Sequence, residues 1–162
     1  MTIIKKSFKR IIMRQQTNYN NHYRASLINK IHGMRTKVFS RSDLTQDHSN
    51  REQLRLNRAL NAFMNQGVII KIAHGLFAKA ESMNFPNGEV KAVLTASFEE
   101  VAIEALDKLG VKWSLGRAIR DYNAGKTTQV PSVFTVQLKS RYRGSIQAEG
   151  RAVIFEGGIN AR

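Results

Sequence analysis

Residues 49–77 read SNREQLRLNRALNAFMNQGVIIKIAHGLF, and this stretch decides how the first half of the chain folds. Ser49 is a suitable N-cap and Gly67 a suitable C-terminal stop, so the pattern predicts a long helix between them. Two short apolar segments follow, residues 68–72 and residues 76–78, joined by a turn that contains a glycine. Such a pair of segments predicts a β-hairpin.

Two shorter helices are predicted before the long one. Apolar residues recur at helical spacing within residues 25–31, and Gly33 ends that segment. Ser40 is a plausible N-cap for a second helix over residues 41–44. The order of short helix, short helix, long helix and hairpin predicts a winged helix-turn-helix over residues 23–80.

Residues 81–88 form a turn-rich joint that is the predicted boundary between two domains. Beyond it, Ser97 and Glu100 have the spacing of a capping box, which predicts another helix. A shorter helix is expected over residues 114–123, and the remaining strand-forming runs are 133–138, 144–148 and 151–155. The predicted fold class is therefore α+β, with the winged module followed by a small α+β domain over residues 89–162.

Net charge is the strongest compositional signal. The chain of 162 residues holds 26 lysines and arginines against 12 acidic residues, a formal charge of +14. Residues 1–60 carry 13 of the basic and 3 of the acidic side chains, and Asp43 is the first acid in the chain. Because releasing counterions from phosphates drives association, this excess predicts a polyanionic partner that contacts mainly the N-terminal half.

Residues 1–22 are a basic arm without acidic residues. A flexible arm that follows DNA phosphates or enters a groove is the favoured interpretation. An amphipathic docking helix is the second. An organellar presequence is the third, although serine is scarce and no cleavage signal is visible.

The long helix separates into two faces at about 100° per residue. Its predicted core stripe is Glu52, Leu56, Ala59, Leu60 and Phe63, and its opposite face carries Asn50, Arg51, Leu54, Arg55, Asn57, Arg58 and Asn61. Arginine donates two hydrogen bonds to guanine, asparagine pairs with adenine, and leucine contacts the thymine methyl group. This face therefore predicts base reading in duplex DNA, against the alternative of a solvated face with no role.

Residues around this face are expected to contact phosphates. Arg41 and Ser42 lie at the predicted start of the second helix, where backbone N–H groups and a cation suit an anion. Lys71 and His74 flank the hairpin tip and would act as a wing, although His74 is equally an ordinary turn residue. The predicted DNA-contact set is Arg41, Ser42, Ser49, Asn50, Arg51, Leu54, Arg55, Arg58, Asn61, Lys71 and His74.

Catalytic, cofactor and membrane functions are not expected. The chain has no cysteine, which excludes disulfides and thiolate sites and fits a cytoplasmic protein. Gly125-Lys126-Thr127 is similar to the end of a phosphate-binding loop, but Arg120 occupies the position that requires glycine. The four histidines lack ligand spacing, and no apolar run approaches the roughly 20 residues that span a bilayer.

Several short motifs occur in a particular order: Val38-Phe39-Ser40, Asp43-Leu44, Ala59-Leu60 with Phe63, Gly67-Val68-Ile69, and Ala73-His74-Gly75-Leu76-Phe77. Their order resembles the N-terminal winged-helix domain of AbiE-type (AbiEi-like) antitoxins of type IV toxin–antitoxin systems. His74 stands where that family usually has arginine, and Phe77 where it has tyrosine. Residues 127–131 (TTQVP) resemble the family's STQVP segment, and residues 141–155 its following strand pair, so the resemblance covers about residues 25–157.

The resemblance implies a transcriptional regulator that represses its own operon by binding inverted repeats in the promoter. It also implies that the C-terminal region antagonises a partner toxin of nucleotidyltransferase type, with a solitary relative that has no toxin as the equal alternative. Lys126 departs from the family's pattern just before the STQVP-like segment. We therefore infer no binding role for that segment from the resemblance.

A basic structural or RNA-binding protein is the alternative function. RNA recognition uses exposed aromatic side chains for stacking. Tyr19 and Tyr23 are available for it, whereas five phenylalanines fall at core-like positions: Phe39, Phe63, Phe77, Phe98 and Phe155.

Overall fold

The structure is a computed structural model that describes the backbone of residues 2–157 and the side chains of residue 10 and residues 12–157. The fold is α+β, and the chain divides into two units, residues 1–35 and residues 36–162. The elements are α1 (Thr2–Gly33), β1 (Val38–Ser40), α2 (Arg41–Leu44), α3 (Asn50–Asn65), β2 (Ile69–Ala73), β3 (Leu76–Asn84), β4 (Val90–Leu94), α4 (Phe98–Lys108), β5 (Trp113–Leu115), α5 (Arg117–Asn123), β6 (Thr135–Leu138), β7 (Gln147–Ala148), β8 (Arg151–Ala152) and β9 (Ile154–Glu156).

The first unit is a single helix, α1, of 32 residues. It ends at Gly33 as the sequence predicts, but it begins at Thr2 and not near Ala25. The described stretch that was expected to be a flexible arm is therefore helical. The physical reason is that neither glycine nor proline interrupts residues 2–32, so nothing in the backbone stops the helix. Residues 12–22 are exposed on all sides of α1.

The second unit is organised around β3. Its first residues pair with β1 on one side, with Phe39 opposite Phe77, and with β2 on the other, with Ile70 opposite Ala78; both pairings are antiparallel. Because side chains alternate between the two faces of a strand, residues 76 and 78 face one way and residue 77 the other.

The resulting sheet is buried on both faces. On one face Val38, Leu76 and Ala78 belong to a core that they share with the apolar stripe of α4. On the other face the rings of Phe39 and Phe77 stack with centroids 5.8 Å apart, and α3 packs along β2. The sheet is thus the middle layer between α3 and α4.

Residues 81–88 are not a domain boundary. The turn signals there are real, since Gly88 takes a φ of +82° and its N–H donates to the carbonyl of Phe85 at 2.9 Å. However, β3 continues to Asn84 and pairs with β4 over five residue pairs, so the turn closes a hairpin within one unit. Turn residues reveal where a chain reverses and do not reveal whether the flanking strands share a core.

The C-terminal part holds a three-stranded sheet of β5, β6 and β9, in which β6 and β9 are parallel. The capping box at Ser97 and Glu100 is confirmed. The helix expected from Ser114 starts later, at Arg117, because residues 113–115 pair with β6. Predicted strands 133–138 and 144–148 are shorter, and 151–155 is divided into β8 and β9. No helix within residues 2–157 is long and apolar enough to cross a bilayer.

The shared core predicts that residues 36–157 unfold as one unit. Leu106 of α4 is fully buried, so we expect Leu106→Ala to lower the free energy of unfolding by about 2–5 kcal/mol. The loss should appear together in Trp113 fluorescence and in hydrogen exchange of β2 and β3, measured across a urea series. Leu54→Ala, at a residue 57% exposed, should change it by less than about 0.5 kcal/mol. Unchanged protection in β2 and β3 of Leu106→Ala would show two independent domains.

Candidate nucleic-acid interface

The candidate interface is centred on α3, whose ends follow the sequence prediction. The Ser49 hydroxyl accepts a hydrogen bond from the N–H of Glu52 at 3.3 Å, and Gly67 has a positive φ of +72° just past the end. Leu56, Ala59, Leu60 and Phe63 form its buried stripe. One face of the helix is therefore fixed by burial, and the other is left to solvent.

Most of the predicted face is exposed as expected. The exposed members on α3 are Asn50, Arg51, Leu54, Asn57, Arg58 and Asn61, and Ser49 at the cap is exposed too. Leu54 presents 57% of its surface to solvent and lies between the arginines and the asparagines of this face. Side chains of arginine, asparagine and leucine thus share one exposed surface, and these residue types can contact base edges.

Arg55 differs from the prediction. Only 23% of its side chain is exposed, and its Nη1 lies 3.9 Å from Oε2 of Glu52, one turn earlier. The reason is geometric: Arg55 is about 100° from Leu54 around the helix, at the border with the buried stripe. The exposed face therefore carries two arginines, Arg51 and Arg58.

Arg41 was expected to contact phosphate, and in the structure its guanidinium already forms hydrogen bonds within the chain. Its guanidinium donates to the side-chain oxygen of Gln53 at 2.8 Å and to the side-chain oxygen of Asn57. These bonds connect α2 to α3 and leave Arg41 half-buried. Ser42 beside it is exposed, with its hydroxyl 2.8 Å from that of Ser40. Arg41 mainly sets the angle between the two helices, a role that the sequence alone did not indicate.

The turn between α2 and α3 is held by its own hydrogen bonds. A carboxylate oxygen of Asp47 accepts from the N–H of Ser49 at 2.8 Å, and this bond, with one from the Ser49 side chain, lowers the pKa of Asp47. The side-chain amide of Gln53 donates to the Asp47 carbonyl at 2.7 Å. Gln53 consequently ties α2, the turn and α3 together. Helical angle alone places it on a flank, so no sequence signal distinguished it.

The hairpin tip lies beside these helices. Only His74 and Gly75 separate β2 from β3, and Gly75 supplies the positive φ of +71°. Lys71 and His74 are both exposed. An open depression is lined by residues of α2 (Arg41, Ser42), the following turn (Thr45, His48), α3 (Gln53) and the hairpin turn (Gly75), together with Ser40. The structure therefore brings together the second helix, the long helix and the hairpin tip.

Helix α4 holds the other side of this assembly. One carboxylate oxygen of Glu104 accepts from the backbone N–H groups of Lys37 and Val38, at 2.6 and 2.9 Å. Lys108 Nζ lies 2.8 Å from a carboxylate oxygen of Asp43 on α2. These contacts fix both β1 and α2 from the C-terminal half of the chain.

The pKa of Asp43 reflects several opposing interactions. Partial burial alone would raise the pKa, but hydrogen bonds from Lys108 and from the N–H and hydroxyl of Ser40, together with the lysine charge, hold it below its usual value. The carboxylate is thus stabilised in its ionised form.

Aromatic side chains are mostly withdrawn from solvent. Phe39, Phe63, Phe77 and Phe98 are each at most 5% exposed, and Phe155 is half-buried, as the sequence pattern predicts. Within residues 2–157 no group of three histidine, aspartate or glutamate side chains is arranged to hold a metal ion.

Comparison of the chain with protein-family models, with curated proteins and with solved structures gives no match.

The depressed pKa of Asp43 predicts a specific pH dependence. Its stabilisation is complete above the unfolded pKa of about 3.9 and is lost as the pH falls through the lower folded value. We expect Asp43→Asn to lower the free energy of unfolding by about 1 kcal/mol at pH 7, the typical net contribution of an intramolecular hydrogen bond. The difference from wild type should shrink between pH 5 and 3.

Urea unfolding at several pH values measures this effect. Lys108→Gln should show a similar loss, and the double variant should lose less than the sum because the two side chains interact. A deficit in Asp43→Asn that is equal at every pH would contradict the assignment.

Proposed function

We propose that the chain is a DNA-binding transcriptional regulator in which α3 reads bases in the major groove of duplex DNA. The observation that carries this proposal is the α3 face, where Arg51, Leu54, Arg58 and Asn61 are exposed together opposite a buried stripe. These are the residue types that recognise guanine, thymine and adenine edges. The net charge of +14 supplies the sequence-independent attraction to phosphates.

The order of elements supports a winged helix-turn-helix. Helix, strand, two helices and a two-stranded hairpin follow each other, and the first strand joins the hairpin to make the order β1-β3-β2. In helix-turn-helix proteins the second helix of the motif enters the major groove, which here corresponds to α3. The hairpin turn is short, so Lys71 and His74 would contact the adjacent phosphates and leave the bases to α3.

Acidic side chains near α3 limit where DNA lies. Asp47 is exposed just before the helix, and Glu52 lies beside Arg55 on its flank. Both would repel phosphates, so the duplex is expected to contact the centre of the face at Leu54 and Arg58. Arg41 then acts by positioning α3 through Gln53 and Asn57.

The resemblance to AbiE-type antitoxins extends the proposal. In this account the chain acts in the cytoplasm, binds inverted repeats in its own promoter, and represses its operon. Its C-terminal half antagonises a nucleotidyltransferase-like toxin from the same operon. Because α4 packs on the central sheet, DNA binding and toxin antagonism would both depend on the same core.

Arginine substitutions on α3 test the DNA-reading proposal. Arg58→Ala should weaken binding to a duplex selected from a random pool by about 1–3 kcal/mol and leave random-sequence duplex almost unaffected. Arg55→Ala should cost less, because its guanidinium lies beside Glu52. Lys71→Ala should weaken both duplexes alike and reduce the salt dependence by about one counterion. Fluorescence anisotropy at several salt concentrations measures all three.

Arg120→Ala is the matched control, since Arg120 is an exposed arginine on a helix of the C-terminal half. It should bind like wild type. Equal losses on selected and random duplex in Arg58→Ala, or failure of the wild type to select any sequence, would contradict base reading. Tighter binding of single-stranded RNA than of any duplex would favour the RNA-binding alternative.

The neutralisation part has its own test. Co-expression with the product of the adjacent gene should restore growth that this product inhibits, and a Leu106→Ala variant should restore less because its core is weakened. The adjacent product must be nucleotidyltransferase-like for this part to hold. An unrelated neighbour, or no restored growth with wild type, would contradict it.

A further inference from the structure

A second basic surface lies in the C-terminal half, outside the interface described above. Between Asp121 and Glu149 the chain has four basic residues and no acidic residue. Three of them, Lys139, Arg141 and Arg143, follow β6 within five positions. All three are exposed.

Lys112 joins this group through the sheet. Trp113 pairs with Leu138 at the end of β5 and β6, and the N–H of Lys139 donates to the carbonyl of Lys112 at 2.7 Å. The N–H of Lys112 donates to the hydroxyl of Ser140 at 2.9 Å. Residues directly opposite on antiparallel strands project from the same face, so the two lysine charges repel each other. Such an arrangement gains free energy when an anion lies across both.

The loop after Lys139 has an internal anchor. The ring of Tyr142 packs edge-on against Phe155 with centroids 5.7 Å apart, while Arg141 and Arg143 on either side are exposed. Gly144 passes close to this ring, since a Cβ there would overlap the phenol. The tyrosine thus holds the loop while its neighbours direct two guanidinium groups to solvent.

Ion pairing distinguishes this group from three other exposed cations of the second unit. Lys91 lies 2.6 Å from Glu89, and Arg117 and Lys126 each lie 3.7 Å from Asp121. Among the described residues, no carboxylate oxygen lies within 4.0 Å of Lys112, Lys139, Arg141 or Arg143. Their charges are not neutralised within the described part of the chain.

We propose that Lys112, Lys139, Arg141 and Arg143 form a second binding surface, for the phosphate backbone of duplex DNA and independent of base sequence. Phosphates suit this surface because arginine binds them bidentately. The loop's only aromatic side chain, Tyr142, is packed on Phe155, so the loop lacks the exposed ring that single-stranded RNA stacks on and the aromatic anchor typical of protein interfaces. The inference rests on the proposed function only in taking DNA as the polyanion.

The test compares two triple variants that lose the same charge. Lys139→Gln/Arg141→Gln/Arg143→Gln removes cations without carboxylate partners, and Lys91→Gln/Arg117→Gln/Lys126→Gln removes paired ones. With random-sequence duplex DNA, the slope of log Kobs against log salt should decrease in magnitude by about 2–3 in the first variant, at about 0.9 per phosphate. It should change by less than about 1 in the second.

Gly144→Ala tests the loop without changing any charge. Because its Cβ would displace Tyr142, we expect a smaller slope and unchanged far-UV circular dichroism. Equal slopes in both triple variants would show that binding depends on total charge alone and would overturn the proposal. A wild-type slope in the first triple variant, or in Gly144→Ala, would also overturn the proposal of an organised surface. A loss confined to single-stranded RNA would overturn the duplex assignment.

The two proposals fail separately in this experiment. If the wild type prefers a selected duplex and the first triple variant keeps the full salt slope, only the second surface is wrong. If the slope decreases but Arg58→Ala keeps the wild-type preference for the selected duplex, base reading by α3 is wrong and the phosphate surface stands.

Discussion

The constraint on which the second unit depends is that the sheet of β1, β2 and β3 is buried on both faces. Alternation along β3 sends Leu76 and Ala78 to the core shared with α4, and Phe77 to the face where it stacks on Phe39. The same backbone therefore supports α3 on one side and α4 on the other. A shift of one residue in register would exchange these two sets of side chains.

This layering explains why the interface is held from distant parts of the chain. Glu104 and Lys108 of α4 bind β1 and α2. A hydrogen bond from Arg41 of α2 to Gln53 of α3 then holds α3 in place. A basic face on an isolated helix would have no fixed orientation, whereas here hydrogen bonds set it before any ligand arrives. Pre-organisation of this kind reduces the entropy lost on binding.

In the proposed function, sequence-specific and general DNA contacts fall on separate surfaces. The central α3 face combines arginine, asparagine and leucine, which suits base edges. The Tyr142 loop presents only cations, which suits phosphates alone. Both follow from packing: the buried Leu60 holds α3, and the half-buried Tyr142–Phe155 pair holds the loop that projects the cations.

Local signals predicted local structure well. Caps at Ser49 and Ser97 and the stop at Gly67 located two helices closely, since capping depends on a few neighbouring residues. The length of α1 was missed because composition alone gave no start signal. The joint at residues 81–88 was misassigned because pairing of β3 with β4 is not local.

For the candidate site, too, the sequence predicted local features and missed those that depend on tertiary contacts. Helical periodicity located its exposed face, including Leu54 and Arg58. Arg55 is less exposed than predicted, because the border of a helix face depends on tertiary burial. Arg41 begins α2 as predicted, but its hydrogen bonds to α3 are not indicated by spacing along the chain.

Backbone amide chemical shifts measured while a selected DNA duplex is added test the central claim most directly. We predict that the largest changes fall in residues 50–61 of α3 and at the turn of His74, with smaller changes at residues 139–143. Changes confined to α1 or to residues 139–143, with α3 unaffected, would contradict it.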